Sequence, residues 1–341
     1  MLRVGLVGVG FMGQNHFNMW QLVAGAQVVA VADKLPERVA VHTPALGGNV
    51  GEAKPLDFSQ VGRYPSLEAM LGEADLDCVD VCTPTDLHAQ MTVQALEAGR
   101  HVISEKPMAL SVAQCDRMIA AAQASGRQLF VAQCIRFWPA YEVLAQWVAE
   151  GRLGKLVAAR FTRLSGPPTW GAEGWLLDPA RSGGATLDLH VHDSDFLLSV
   201  WGMPRQVSST AANLETPGDK VDHIVTSYTY PGGFVCVAEG GWVMPPASGF
   251  EMSYWVLGAA GMLQFSSSQG VSPVFHPYAG ESQTIEVSDE TGYSRELAYF
   301  AECMGSGRQP DRVPPESSRD AIRLVLAERQ SANRGQPVVL S

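Results

Sequence analysis

The chain opens on "RVGLVGVGFMG", an apolar run that breaks into the spacing G-x-G-x-x-G at Gly8, Gly10 and Gly13. Residues 3–9, rich in Val and Gly, read as a strand buried on both faces. Residues 11–24 hold no proline and no glycine beyond Gly13, so they read as a helix with Gly25 as its stop. A second strand, "AQVVAVAD", ends in Asp33. Few folds accept this order. It is the βαβ unit that cradles a pyrophosphate at a helix N-terminus. Gly8 permits the tight turn, Gly10 lets backbone approach the anion, and Gly13 lets the helix lie close on the strand. Asp33 stands where a carboxylate accepts ribose hydroxyls and repels a 2′-phosphate, which favours NAD. Lys34 beside it weakens that repulsion and leaves NADP open.

The alternation continues. "CVDVCTP", "HVISEKP" and "QLFVAQCIRF" read as strands. "DLHAQMTVQALEAG" and "SVAQCDRMIAAAQASG" read as helices stopped by Gly99 and Gly126. Ser111 and Gln114 make a capping box for the second of them. This rhythm predicts a doubly wound parallel sheet whose ligands lie beyond the C-terminal strand ends. Thr83, Pro84, Glu105, Lys106 and Arg136 stand at those ends. Residues 42–63 break the rhythm and read as a long loop or a small excursion. After the helix "PAYEVLAQWVAEG" the texture becomes strand-like, with a turn at Pro231-Gly232-Gly233, until two helical segments near the end. The expected architecture is α/β. A Rossmann domain spans residues 1–135, and residues 136–341 form an α/β domain with a large, mostly antiparallel open sheet. The C-terminal helices have the option of packing back on the first domain.

A chain of 341 residues is long enough for both domains, and 46% hydrophobic residues supply their cores. The formal charge of −11 argues against a general binder of nucleic acid or anionic membrane. No apolar run reaches the ~20 residues of a membrane span. The first residues read as leading straight into the first strand, without the charged flank, apolar core and cleavage site expected of a leader. The six cysteines show no C-x-x-C pairing and read as free thiols of a reducing compartment, the cytoplasm.

The run "SGGATLDLHVHDSD", residues 182–195, concentrates acids and histidines behind a glycine pair. As a helix, residues 187–200 put Asp188 and His192 at i and i+4, on one face and about 6 Å apart along the axis. His190 then points elsewhere. As a strand, the run would put His190 and His192 on one face, where they could share a metal. Phe196, Leu197 and Val200 keep apolar spacings of three and four, which favours the helix and no metal.

Taken in order, "GVGFMGQNH", "CTPTDLH", "SEKPMALS", "IRFWPAY" and "SGGATLDLHVHDSD" resemble the glucose–fructose oxidoreductase/inositol dehydrogenase family, Gfo/Idh/MocA. The closing "RELAYF" and "AIRLVLAERQSANRGQPVVL" extend the resemblance over nearly the whole chain. Residues 42–63 and His190 depart from the family pattern. The resemblance implies reversible NAD(P)-dependent oxidation of a carbinol in a sugar, polyol or inositol-like substrate. It implies that Gly8, Gly10, Phe11, Met12, Gly13 and Asp33 hold the cofactor, and that Thr83, Pro84 and His88 border its nicotinamide half. Glu105 and Lys106 match an E-K-P motif, and Asp188 and His192 match the later acid and histidine. It also implies a homodimer or homotetramer built through the open sheet.

That chemistry needs a base for the hydroxyl proton and a positive group for the oxygen. His192 suits the first role and Lys106 the second, although the two roles are exchangeable. Asp188 fixes the substrate or tunes Lys106; a plain interdomain salt bridge between them reads equally well. Arg136 either binds substrate hydroxyls or pairs with a carboxylate. Trp170 and Trp175 either face substrate and nicotinamide or pack their own loop. His16, His223 and His276 read as structural or surface. Two further functions stay open: a hydrolase or lyase that holds NAD for transient oxidation, and a non-catalytic NAD sensor.

Overall fold

The computed structural model describes residues 1–48, 54–214 and 221–340. The first half runs β1 (Leu2–Val7), α1 (Phe11–Trp20), β2 (Ala26–Ala32), β3 (His42–Thr43), β4 (Leu56–Asp57) and β5 (Gly62–Tyr64). It continues with α2 (Leu67–Glu73), β6 (Cys78–Val81), α3 (Thr85–Glu97), β7 (His101–Glu105), α4 (Val112–Ser125) and β8 (Leu129–Ala132). Six strands form one parallel sheet in the order β5-β2-β1-β6-β7-β8. Winding proceeds from β1 to one edge and then resumes on its other side. The order therefore reverses between β1 and β6, which opens a crevice at their C-terminal ends. The strands are apolar on both faces because helices cover both.

Local signals act as read. Ser111 Oγ accepts the Gln114 N–H at 3.3 Å, and Gln114 Oε1 accepts the Leu110 N–H at 3.1 Å. Gly126 then ends α4 at φ 64°. Three elements differ from expectation. Helix α1 stops at Trp20, because the Leu22 and Val23 N–H groups close tight turns onto Met19 and Trp20. The strand expected through Phe137 stops at Ala132. Its partner β7 ends at Glu105, opposite Ala132, so the ladder has nothing to continue on. Cys134–Phe137 forms a 3₁₀ turn instead. Residues 42–63 are more than a loop: β3 pairs with β4, and β5 is the edge strand beside β2. Strands of two or three residues leave no periodicity to read. Residues 49–53 of that stretch lie outside the described residues.

The second half runs α5 (Pro139–Ala149), β9 (Leu156–Leu164), α6 (Pro179–Ser182), α7 (Val191–Trp201), β10 (Gln206–Ala212), β11 (His223–Thr229) and β12 (Val235–Gly241). It closes with β13 (Glu251–Gly258), β14 (Gly261–Ser266), β15 (Val274–Pro277), β16 (Gln283–Thr284), α8 (Gly292–Ser306), α9 (Pro315–Arg334) and β17 (Val338–Val339). The sheet order is β16-β15-β14-β13-β9-β12-β11-β10-β17. The β9–β12 pair is parallel and the other neighbours are antiparallel. Alternation puts Ala159, Phe161, Tyr228 and Tyr254 inward, against α5 and α7. Helices α8 and α9 return to the first sheet. Phe300 packs on Phe130 at 4.8 Å between centroids, and Ile322 and Val325 join the first core.

Candidate functional site

A cavity of about 500 Å³ lies where the C-terminal ends of β1, β2, β6 and β7 face β9, α7 and the segment 170–181. Its size suits an enclosed small-molecule site.

At one end the glycine turn builds a cradle. A Cβ on Gly8 would lie 2.6 Å from the Cys82 carbonyl oxygen, and φ there is +89°. A Cβ on Gly13 would lie 1.9 Å from the Gly8 carbonyl oxygen. Gly13 does not line the cavity; its role is to let α1 sit on the turn. Gly10, Phe11 and Met12 do line it, and the first turn of α1 has no side-chain cap. Its free N–H groups are an anion site. Asp33 accepts the Val9 N–H at 2.8 Å and the Leu35 N–H at 2.9 Å, which ties the end of β2 to the turn. Its remaining lone pairs adjoin the cavity, with Arg38 3.8 Å away. Lys34 is engaged elsewhere, on Glu173 at 3.0 Å. Thr83 Oγ1, in a wall residue, is buried without a partner among the described residues. A turn closed to a Cβ at Gly8 and Gly13, an open helix start, an acid at the end of β2 and an orphaned hydroxyl together fit a dinucleotide.

At the other end the two halves of the chain meet through Lys106. Its Nζ donates to the Asp188 carbonyl at 2.6 Å and to Asp188 Oδ1 at 3.1 Å. Burial pulls its pKa down, but the Asp188 and Glu105 carboxylates outweigh this and hold it above the ordinary lysine value. Glu105 accepts the Lys106 backbone N–H at 2.8 Å and meets His16 Nε2 at 3.0 Å. The helix expected over residues 187–200 is not α throughout. Thr186–His190 forms a π turn that passes into α7. The wider turn accompanies diversion of the Asp188 carbonyl to the ammonium; such turns recur at functional sites. Asp188 and His192 both still reach the cavity. Burial, then the Lys106 and Arg163 charges, hold His192 well below its ordinary pKa, so its imidazole is neutral. Its Nδ1 is enclosed and has no partner among the described residues, which leaves Nε2 to the cavity.

The contacts place four more of these residues, and they move His88 and Arg136 out of the cavity wall. His88 lies behind the wall, not in it: its ring nitrogens meet Thr83 O at 2.8 Å and Pro107 O at 2.9 Å, joining the loops after β6 and β7. Arg136 is structural. It grips Asp195 at 2.7 and 2.6 Å, donates to Ser317 Oγ at 2.7 Å, and is absent from the wall. His190 turns away to Glu328 at 2.7 Å, so the two histidines of the run do not converge. His16 is wholly internal, on Asp80 at 2.9 Å, beneath a Trp20 N–H that donates to the same acid at 2.8 Å. Burial opposes the His16 charge, but the Asp80 carboxylate helps hold its pKa well above the ordinary value. Trp170 and Trp175 both line the cavity, and Trp170 packs edge-on to Phe11 at 6.4 Å.

Sequence reasoning missed Arg38, Trp138, Arg163, Phe250, Met252 and Tyr293, all in the wall. One of them left a signal. Ala159, Phe161 and Arg163 share the inward side of β9, and an arginine at a core-facing position needs a partner and a reason.

Residues 2–133 match the profile of the oxidoreductase family with an NAD-binding Rossmann fold, and residues 141–264 match the GFO/IDH/MocA C-terminal domain. A 1,5-anhydro-D-fructose reductase of Ensifer adhaerens is 32% identical over 58% of this chain and 56% of its own length. A scyllo-inositol 2-dehydrogenase (NAD(+)) of Bacillus subtilis (strain 168) is 26% identical over 99% of this chain and 96% of its own. The crystal structure of aldose-aldose oxidoreductase from Caulobacter crescentus, complexed with glycerol, shares the fold with a TM-score of 0.84. Its identity is 22%, covering 99% of both chains. No helix among the described residues is long and apolar enough to cross a membrane.

Proposed function

The chain belongs to the Gfo/Idh/MocA family of NAD-binding oxidoreductases, and from that premise we propose a reversible dehydrogenase of sugar or polyol carbinols run by Lys106, Asp188 and His192. One observation carries the assignment. Lys106 after β7, Asp188 in the π turn and His192 on α7 meet at one cavity with the glycine cradle.

Bound NAD supplies the hydride acceptor. The chain's residues do the rest. His192 Nε2 takes the hydroxyl proton as a neutral base, worth about 10²- to 10⁴-fold. Burial and two neighbouring cations oppose the imidazolium, so the proton passes on readily. Lys106 stays cationic and stabilises charge developing on the substrate oxygen. Asp188 holds Lys106 in place through both its carbonyl and its carboxylate. The named relatives act on anhydro sugars and inositols, which supports a ring of hexose size.

The quaternary proposal is a homodimer or homotetramer through the outer face of the nine-stranded sheet, where Val235 and Trp255 are exposed. Light scattering on the purified protein tests it. A cytoplasmic location is supported by six buried free cysteines.

The test of the activity is an absorbance screen at the NADH band, with NAD and a panel of inositols, aldoses and anhydro sugars. Lys106→Ala and His192→Ala run alongside. Turnover that collapses in both variants is expected. A folded, NAD-binding protein that turns over nothing refutes the dehydrogenase. Co-purified NAD without net NADH would then point to transient oxidation.

A further inference from the structure

The cavity holds a buried guanidinium that this mechanism uses only through its charge, leaving its free N–H edge unassigned. Arg163 projects from the inward side of β9 and is only 2% exposed. Its Nε and Nη2 grip Asp193 at 2.9 and 3.0 Å, and Nη2 also reaches the Tyr141 hydroxyl at 3.4 Å. Nη1 carries two more N–H bonds. Among the described residues its one acceptor is the Met252 sulfur at 3.6 Å, and a thioether accepts weakly. Buried N–H groups without an oxygen acceptor are rare in folded chains and costly. This one lies in the cavity wall beside Met252, in the same wall as His192. Its charge bears on His192 and on Tyr293.

Charge restricts what it receives. Lys106 is paired with Asp188, Arg163 with Asp193, and Glu105 with His16. At this end of the cavity, among the described residues, both wall cations already have a carboxylate partner, which leaves neither over for a carboxylate or phosphate. The neighbouring wall is apolar: Trp138, Leu189, Phe250, Met252 and Tyr293, with Trp138 and Tyr293 edge to face at 6.0 Å. We propose that Arg163 is a substrate-binding residue whose Nη1 edge donates to a neutral oxygen, hydroxyl or ring ether, of a compact cyclic carbohydrate seated against Trp138 and Tyr293. Sugar acids and sugar phosphates are excluded. The proposal rests on the dehydrogenase reading for the place of the reacting carbinol.

The experiment reads binding, not turnover. NADH-loaded protein is titrated calorimetrically with myo-inositol, 1,5-anhydroglucitol, glucuronate and glucose 6-phosphate. Arg163→Met/Asp193→Leu removes both charges and strands neither. Met252→Gln leaves the pair intact and offers Nη1 an internal oxygen. A neutral probe should bind the wild type and bind the double variant about 10- to 100-fold more weakly, the loss of a hydrogen bond from a charged donor. Met252→Gln should weaken the same probe about tenfold. NADH affinity should change less than about twofold in both, since none of the three residues belongs to the glycine cradle. Three results overturn the proposal: neither neutral probe binds, an anionic probe binds more tightly, or Met252→Gln and the folded double variant bind the neutral probe as the wild type does. Failure of the dehydrogenase reading looks different: the probe binds in an Arg163-dependent way, yet NAD and substrate yield no NADH.

Discussion

Lys106→Met removes an ammonium that donates to the Asp188 carbonyl at 2.6 Å and to Oδ1 at 3.1 Å. The two side chains are 14% and 18% exposed. Breaking a fully buried pair costs about 3–5 kcal/mol, because the abandoned charge stays buried. Asp188 keeps some access to solvent, so the loss should fall at or below the lower end, about 2–3 kcal/mol. The reaction suffers separately. Losing one donor to a developing oxyanion lowers kcat about 10²- to 10³-fold, or ~2.7–4 kcal/mol. The two losses have different remedies. Lys106→Met/Asp188→Leu also removes the stranded carboxylate, so stability should return to within about 1 kcal/mol of wild type. Turnover should not return. Urea midpoints at pH 7 measure the first quantity and NADH absorbance at saturating NAD the second; NADH titration checks that the cofactor site survives. Because the folded pKa of Lys106 is raised, its stabilisation is fully present below about pH 10.4 and is lost only as pH rises through the folded value. Measurements at pH 7 therefore see all of it. A double variant with wild-type stability and more than about a tenth of wild-type kcat would make Lys106 a salt-bridge residue and refute the reasoning.

His192→Asn should lower kcat by about 10²- to 10⁴-fold. Since His192 is held well below its ordinary pKa, wild-type kcat should show no inflection near pH 6.5; one that vanishes in this variant would contradict the neutral-base assignment. Gly13→Ala places a methyl 1.9 Å from the Gly8 carbonyl and should cost at least about 1–3 kcal/mol, with loss of NADH binding by titration; unchanged affinity would contradict the cradle. His16 has a raised pKa, so its contribution is full below about pH 6.5 and fades as pH rises through the folded value. The urea midpoint of His16→Asn should lack that alkaline decline. Arg136→Met leaves Asp195 buried and unpaired, and should cost about 3–5 kcal/mol in chemical denaturation while the KM of the folded enzyme stays put. A KM effect without destabilisation would return Arg136 to the substrate site.

The cofactor half was legible because its signals are local. A buried strand, a turn needing positive φ at Gly8, a helix start and an acid at the next strand end all fall within Leu2–Val7, the glycine turn and the residues up to Asp33. The same local logic placed the capping box of α4 and the stop at Gly126. It failed where elements were too short to carry a period, as in β3, β4 and β5. It failed again where a partner strand ended, as at Ala132.

The substrate half depends on contacts no spacing encodes. Lys106 and Asp188 stand 82 residues apart, and only packing of the second half of the chain against the first brings the π turn to the end of β7. The two arginines make the division plain. By the strand-end rule Arg136 belongs at the site and Arg163 inside a strand. Asp193 and Asp195 decide otherwise. Two residues apart on α7, they project in different directions, since each residue turns a helix by about 100°. Asp195 draws Arg136 out of the wall, and Asp193 holds Arg163 in it. From the sequence alone came a dinucleotide fold with an acid, a lysine and a histidine to spare. Which charges meet, and which guanidinium faces the ligand, was decided by tertiary structure, because a buried charge goes where its counter-ion is.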